Sequence, residues 1–317
     1  MFHQLSYLHP APRRAPLRPS WRLAGVLFCA HFVCAGSAFP DSVVKASDPD
    51  VVRVMTFNIR YDTPADGKDA WPHRKDLVVE IIRDFRPDFL GIQEALPGQV
   101  AFLEESLQEY GVLSRSREKD PNAGEACSVF YLRRRWRIDP EEQGTYWLSD
   151  APDEPASITW GNACTRIVTW ARFFETDTGR RLVFVNTHFD HRSSPARRKS
   201  AAMLRDRIAQ IPADVPVVLA GDFNASETAE SMRILTEAPE GPGSVLIDTF
   251  RAVHASAEKV GTFNGFEGRD SGPKIDHIFV RGDAVPIAAE IIRTDRDGRY
   301  PSDHFPVTAT IRLGGAK

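Results

Sequence analysis

The stretch Val215-Pro216-Val217-Val218-Leu219-Ala220-Gly221-Asp222-Phe223-Asn224 runs from an apolar segment directly into a carboxylate and an amide. A short apolar run bounded by turn-forming residues reads as a buried strand, which predicts Asp222 and Asn224 at a strand end. The same arrangement recurs along the chain. The runs 51–57, 88–93, 182–187 and 274–280 carry or lead into Asn58, Glu94, His188 and Asp276, and Ser302-Asp303-His304 stands before a further apolar run. Strand ends that each deliver a carboxylate, amide or imidazole predict one convergent polar site. Carboxylates held together need positive charge, and a hard divalent cation is the simplest source. The chemistry this pattern points to is metal-assisted hydrolysis.

Between the strands the spacing of apolar residues changes to that of helices. Leu77, Ile81, Ile82 and Phe85 share one face of a helix over 74–85, closed by Arg86-Pro87. A second helix after Pro97-Gly98 places Phe102, Leu103, Leu107 and Tyr110 together, a third covers 195–211, and Ser226 is an N-cap candidate for a fourth reaching Leu235. Further strands are predicted at 126–132, 144–148, 167–175, 285–294 and 306–313, with Thr176-Asp177-Thr178-Gly179 as a hairpin turn. Helices and strands alternate without a regular βαβ repeat, which favours mixed sheets with helices outside. The loops 114–124 and 150–164 are long and polar enough to frame a cleft.

Residues 1–38 differ in character. Arg13, Arg14, Arg18 and Arg22 precede a mostly apolar run from Leu23 to Ala35, and small residues then lead to Phe39-Pro40. That order predicts a signal peptide over 1–38 and a secreted or periplasmic protein, with a short membrane anchor as the alternative. An extension, 39–50, would follow, and 51–317 would form a single domain. Loss of the four arginines moves the formal charge from −3 to −7 (−3 − 4). An acidic balance argues against tight sequence-independent nucleic-acid binding, since such binders are usually basic. The dense basic run Arg133, Arg134, Arg135 and Arg137 reads as a solvated turn. Cys127 and Cys164 would remain after cleavage, either bridged or as free thiols.

Taken singly, each motif has a plain structural reading. Asp222 and Asn224 at i and i+2 also build a turn, and Ser302-Asp303-His304 also makes a capped turn. The crowding of His188, Asp190 and His191 at one strand end leaves a zinc-dependent protein as an alternative. HExxH, paired CxxC, GxSxG and P-loop patterns are all absent from the sequence.

Together, these motifs, in this order, resemble the endonuclease/exonuclease/phosphatase superfamily, the DNase I-like fold. The resemblance covers about 51–313 and is most specific at Gly221-Asp222-Phe223-Asn224 and Ser302-Asp303-His304. Arg166-Ile167-Val168-Thr169-Trp170-Ala171-Arg172-Phe173, Asn186-Thr187-His188-Phe189-Asp190-His191 and Gly261-Thr262-Phe263-Asn264-Gly265-Phe266 are similar to a largely uncharacterised bacterial branch. The resemblance implies an α+β, four-layer α/β/β/α sandwich of two packed mixed sheets with helices on both outer faces. It implies Mg²⁺, with Mn²⁺ as substitute, held by Glu94, Asn58 and Asp303. By the same resemblance Asp222 orients or deprotonates water, Asn224 holds a phosphate oxygen or the nucleophile, and His188 contacts the scissile phosphate. Asp276 would pair with His304, and both Asp222 and His304 stand as candidates for the base.

The implied function is a secreted phosphoesterase, either a nuclease or a small-phosphoester phosphodiesterase or phosphatase. Its partner is then a phosphoester substrate, a nucleic acid or a small phosphorylated molecule. No obligate protein partner is indicated, and membrane contact follows only if the N-terminal segment is retained. A catalytically silent binding module of the same fold is the non-enzyme alternative. Trp147, Trp160, Phe263 and Phe266 are candidates to line a pocket for a base or sugar ring, or simply to pack.

Overall fold

Strand β1 (Val51–Asn58) sends alternate side chains to opposite faces. Val52 and Val54 join one buried cluster while Met55 and Phe57 join another. That period of two is repeated in β2 (Phe89–Ala95), with Phe89 on one side and Leu90 and Ile92 on the other. A strand buried on both faces lies inside a layered fold, with something apolar above and below it. The computed structural model describes residues 48–237 and 245–314. The predicted signal segment 1–38 and residues 39–47 of the extension lie outside the described residues.

The first sheet has the order β11-β12-β1-β2-β4-β3. Its other members are β3 (Tyr110–Leu113), β4 (Ala126–Leu132), β11 (Ala284–Ile291) and β12 (Val307–Leu313). The second has the order β5-β6-β7-β8-β10-β9, from β5 (Trp136–Trp147), β6 (Ile167–Glu175), β7 (Arg181–His188), β8 (Val217–Asp222), β9 (Ile247–Asp248) and β10 (Asp276–Arg281). Both are mixed: β1 and β2 are parallel, as are β7 and β8, while their other neighbours are antiparallel.

The cluster between the sheets holds Val52, Val54, Phe89 and Val129 from one and Phe173, Phe184, Val218 and Ile278 from the other. Helices α1 (Lys75–Phe85) and α2 (Pro97–Ser106) cover the outer face of the first sheet. Helices α3 (Ser194–Ala209) and α4 (Glu230–Thr236) cover the second, with Leu204, Ile208, Met232 and Leu235 buried. The predicted four-layer α+β sandwich is the observed one. Among the described residues no helix is long and apolar enough to cross a membrane.

A polar bridge joins the two sheets inside this core. Asn186 on β7 donates to the carbonyls of Ile92 and Ser128, each at 2.9 Å, and accepts from Gln93 Nε2 at 2.7 Å. Gly91 permits the approach, because a Cβ there would stand 2.7 Å from Asn186 Oδ1.

Several local expectations are corrected. Tyr110 opens β3 rather than extending the second helix, and its hydroxyl donates to the Pro87 carbonyl at 2.7 Å. Ser226 caps nothing, since α4 starts at Glu230 with Ala229 before it. Strand β5 begins at Trp136, well before 144, so Arg133, Arg134 and Arg135 form the β4–β5 turn and Arg137 lies within β5. Arg135 in that turn is not simply solvated. It pairs with Asp88 at 3.2 Å and Glu175 at 2.7 Å. Strand β9 and the adjoining α5 (Thr249–Val253) were not anticipated.

Candidate active site

Topology brings the predicted strand ends to one edge of the sandwich. Asn58 and Glu94 finish the parallel pair β1/β2, and His188 and Asp222 finish the parallel pair β7/β8. Their antiparallel neighbours begin at that edge: Asp276 opens β10 directly opposite Asp222, and Asp303-His304 leads into β12 beside β1. Parallel strands deliver their C-terminal ends and antiparallel partners their N-terminal ends to the same place.

Local distortions then aim the side chains. A bulge between Ile92 and Ala95 lifts Glu94 from the ladder, and its φ of 65° turns it toward the site. Asn224 takes a left-handed conformation at φ 47°, which Asn tolerates well. A Cβ on Gly221 would lie 2.2 Å from the Thr187 carbonyl, so glycine is what lets β8 close against β7. Ser302 donates from its hydroxyl to the Asn58 carbonyl at 2.7 Å, tying the Ser-Asp-His turn to the end of β1. Thr262 Oγ1 accepts from the backbone of Ile275 and Asp276 at 3.0 and 3.2 Å.

Asp222 is the hub. Its Oδ2 accepts from Asn58 Nδ2 at 3.0 Å and lies 3.4 Å from His188 Nε2 and 3.8 Å from His304 Nε2. Its Oδ1 accepts from the Asn224 backbone at 2.9 Å. Asn58 Nδ2 also meets Glu94 Oε1 at 3.0 Å, while Glu94 Oε2 accepts from the Tyr61 backbone at 3.2 Å. Asn224 Nδ2 lies 3.0 Å from His188 Nε2 and donates to the Phe189 carbonyl at 3.0 Å. His304 Nδ1 lies 2.9 Å from Asp276 Oδ2. Asp303 is 9 % exposed, 3.9 Å from Arg60 Nε.

Burial and charge separate these groups. Burial, with the nearby Asp276 charge, pushes the Asp222 carboxyl up to about 7. Burial opposes charge on His304, yet Asp276 and Asp222 outweigh it and hold the imidazole well above its ordinary value. His188 goes the other way, well below, through burial and the positive charges of Arg166 and Arg117. Asp303 is raised by burial and by Glu94.

Buried carboxylates gathered at one edge fit a bound cation among them. The donors are hard oxygens, which suit Mg²⁺ or Mn²⁺. Glu94, Asp303 and the amide of Asn58 would hold it. The ligand atoms of Glu94, Glu125 and His188 also lie within 4.8 Å of one another.

The zinc trio does not assemble. His188 faces Asn224 and Asp222, whereas His191 Nδ1 meets Arg166 Nη2 at 3.1 Å. Asp190 spends its oxygens on backbone N–H groups of Ala163, Cys164, Arg192 and Ser193, holding the turn into α3. Both described cysteines are free, Cys127 buried and Cys164 partly so. Of the four aromatic candidates, Trp147 packs in the interior with Cys127 and Ile167, and Trp160 lies against the α3 side. Phe266 lies under Arg74, its ring centre 5.5 Å from the guanidinium. Phe263 alone borders the site, 47 % exposed with its ring 5.2 Å from His304. Arg117, Glu125 and Arg166 line a cavity with Glu94 and His188 and were not anticipated as site residues, although Arg166 opens the stretch 166–173 that carries part of the resemblance.

Residues 55–304 match the model of the Endonuclease/Exonuclease/phosphatase family. An endonuclease/exonuclease/phosphatase from Bacteroides vulgatus is 33 % identical with a TM-score of 0.76, covering 83 % of this chain and 99 % of that one. A mannosyl-6-phosphatase from Bacteroides thetaiotaomicron is 28 % identical with a TM-score of 0.74, covering 82 % and 99 %. Nocturnin from Drosophila melanogaster is 25 % identical over 83 % of this chain, and the match spans 47 % of that protein, about half its length. With two mixed six-stranded sheets and the six motifs gathered at their common edge, the chain belongs to the endonuclease/exonuclease/phosphatase family.

Proposed function

We propose that this protein is a Mg²⁺-dependent hydrolase of phosphate ester bonds acting outside the cytoplasm. The observation that carries the activity is the contact of Asp222 with Asn58 on one side and the His304–Asp276 pair on the other. Asp222, raised to about 7, is suited to accept a proton near neutral pH, which supports it rather than His304 as the base. His304, held protonated by Asp276, is suited to donate to a phosphoryl oxygen as charge builds there. Asn224 and the neutral His188 position the phosphate. A divalent cation, when bound, supplies Lewis-acid charge to the phosphate oxygens and leaving group. Water attacks phosphorus, the ester P–O bond breaks, Asp222 takes the water proton, and the departing alkoxide is protonated from solvent.

Similarity to a mannosyl-6-phosphatase over most of both chains supports a small phosphorylated molecule as substrate ahead of a nucleic acid. Phe263 beside His304 offers a ring face for it. Location outside the cytoplasm rests on the basic and apolar segments within 1–38, and sequencing of the mature N-terminus is expected to read from near Phe39. The activity is tested with bis-p-nitrophenyl phosphate and Mg²⁺ or Mn²⁺ against EDTA. Turnover that EDTA abolishes supports the hydrolase. No turnover with either metal, on any phosphate ester or on DNA, would make the chain a binding module.

A further inference from the structure

Arg166 is 4 % exposed and immediately precedes β6. Its Nη2 meets His191, but Nε and Nη1 are buried with no hydrogen-bond partner among the described residues. It has no carboxylate ion pair among them either. The chain's other deeply buried arginines are treated differently. Arg74 gives its N–H groups to the carbonyls of Ile59, Arg60, Asp69 and Pro301. Arg281 gives both terminal nitrogens to the carbonyls of Ile208, Ile211, Pro212 and Val215 and leaves only Nε without a partner among the described residues. Those two guanidinium groups brace loops. Arg166 braces little, and a buried charge with bare donors is costly to keep.

Arg166 lines a cavity that it shares with Arg117, Glu94, Glu125 and His188. Arg117 is already balanced, with Nη2 on Glu125 Oε1 at 2.6 Å and Nε 3.5 Å from Glu118. The uncompensated charge therefore belongs to Arg166, next to the histidine that faces the phosphate. A guanidinium matches phosphate oxygens in charge and in planar donor geometry. A phosphodiester carries one negative charge, while a terminal phosphate carries roughly −1.5 to −2 at pH 7. An extra unpaired cation favours the latter.

Resting on the hydrolase function proposed above, we propose that Arg166, backed by Arg117, is an anion receptor for the non-bridging oxygens of a terminal phosphate. It thereby selects phosphomonoesters over phosphodiesters. The test uses the full mature chain, its Arg166→Met and Arg166→Lys variants, and two readouts. In EDTA, inorganic phosphate is titrated calorimetrically: Arg166→Met is expected to weaken binding at least tenfold with Tm at or above wild type, and Arg166→Lys to recover part of it. With Mg²⁺, the ratio of kcat/KM for p-nitrophenyl phosphate over bis-p-nitrophenyl phosphate is expected to fall at least tenfold in Arg166→Met. Phosphate affinity within twofold of wild type, an unchanged ratio, or a destabilised or unfolded Arg166→Met would each overturn the proposal, the last by making Arg166 a brace like Arg74. Wild-type protein that binds no phosphate in EDTA overturns it too. If neither ester is turned over yet Arg166→Met still loses phosphate, the receptor stands and the hydrolase function is what fails.

Discussion

Asp276 Oδ2 lies 2.9 Å from His304 Nδ1, and this contact decides which of the two site histidines carries charge. Both imidazoles are buried, which alone disfavours protonation of either. His304 gains two carboxylates, Asp276 and Asp222, while His188 sits near Arg166 and Arg117. One is held as a cation and the other as a neutral ring, so a single edge provides both a charged donor and a neutral positioning group.

Asp276→Asn keeps an acceptor for Nδ1–H but removes the charge. The His304 value must then fall, so protonated His304 is lost at lower pH. Turnover is expected to drop roughly 10²–10⁴-fold, the span typical of a positioned acid or base, and the alkaline limb of the pH–rate profile to move to lower pH. An alkaline limb that stays in place would show that Asp276 does not act through His304.

Asp222→Asn separates catalysis from stability. Turnover is expected to fall at least ~10²-fold, and activity within tenfold of wild type would remove Asp222 from the base role. In metal-free protein the same change should stabilise. The folded value of about 7 stands above the ordinary 3.8. Asp222 therefore favours folding fully only below the lower value, and that contribution is lost as pH rises through the upper one. Melting in EDTA is expected to show Asp222→Asn above wild type at pH 8, with the difference shrinking toward pH 4. No difference at pH 8 would contradict the buried-charge account.

Removal of metal by EDTA is expected to abolish turnover, and Mg²⁺ or Mn²⁺ to restore it. Glu94→Gln or Asp303→Asn should raise the Mg²⁺ concentration for half-maximal activity by about tenfold, near 1.4 kcal/mol of lost affinity. His188, Asp190 and His191 are expected to hold no zinc together, because Asp190 accepts from backbone donors while His188 meets Asn224 and His191 meets Arg166, so His188→Ala is expected to leave the zinc content found by elemental analysis unchanged. Stoichiometric zinc that is lost in His188→Ala would argue against an oxygen-ligated centre.

Asn186→Ala removes the bridge between sheets and takes a donor from each of the carbonyls of Ile92 and Ser128, while the Gln93 amide keeps Thr56 and the Gly91 carbonyl. Buried polar groups stripped of a hydrogen bond cost about 1–3 kcal/mol each, so a loss of roughly 2–4 kcal/mol is expected in urea unfolding. A loss below about 1 kcal/mol would mean that water takes the vacated place.

The strands were legible because their apolar runs are long and end in abrupt polar motifs, as at 215–224 and 51–58. Errors fell where local pattern and tertiary context compete. Tyr110 carries the helical spacing of 102–107, yet it joins β3 because β4 offers it a ladder. Ser226 has the chemistry of a cap, but its hydroxyl pairs with Thr228 and the helix starts later. Strand β9, two residues long, leaves no periodicity to detect.

By itself the sequence determined the α+β layering and the identity of Asn58, Glu94, His188, Asp222, Asp276, Asp303 and His304 at strand ends. Alternation and turn chemistry are local properties, written in neighbouring residues. Only the tertiary structure decided that His304 is charged and His188 neutral, that Arg166 is buried with no carboxylate partner among the described residues, and that Phe263 rather than Trp147 borders the site. Those outcomes depend on through-space distance and loss of solvent between segments far apart in the chain, which no short stretch of residues encodes.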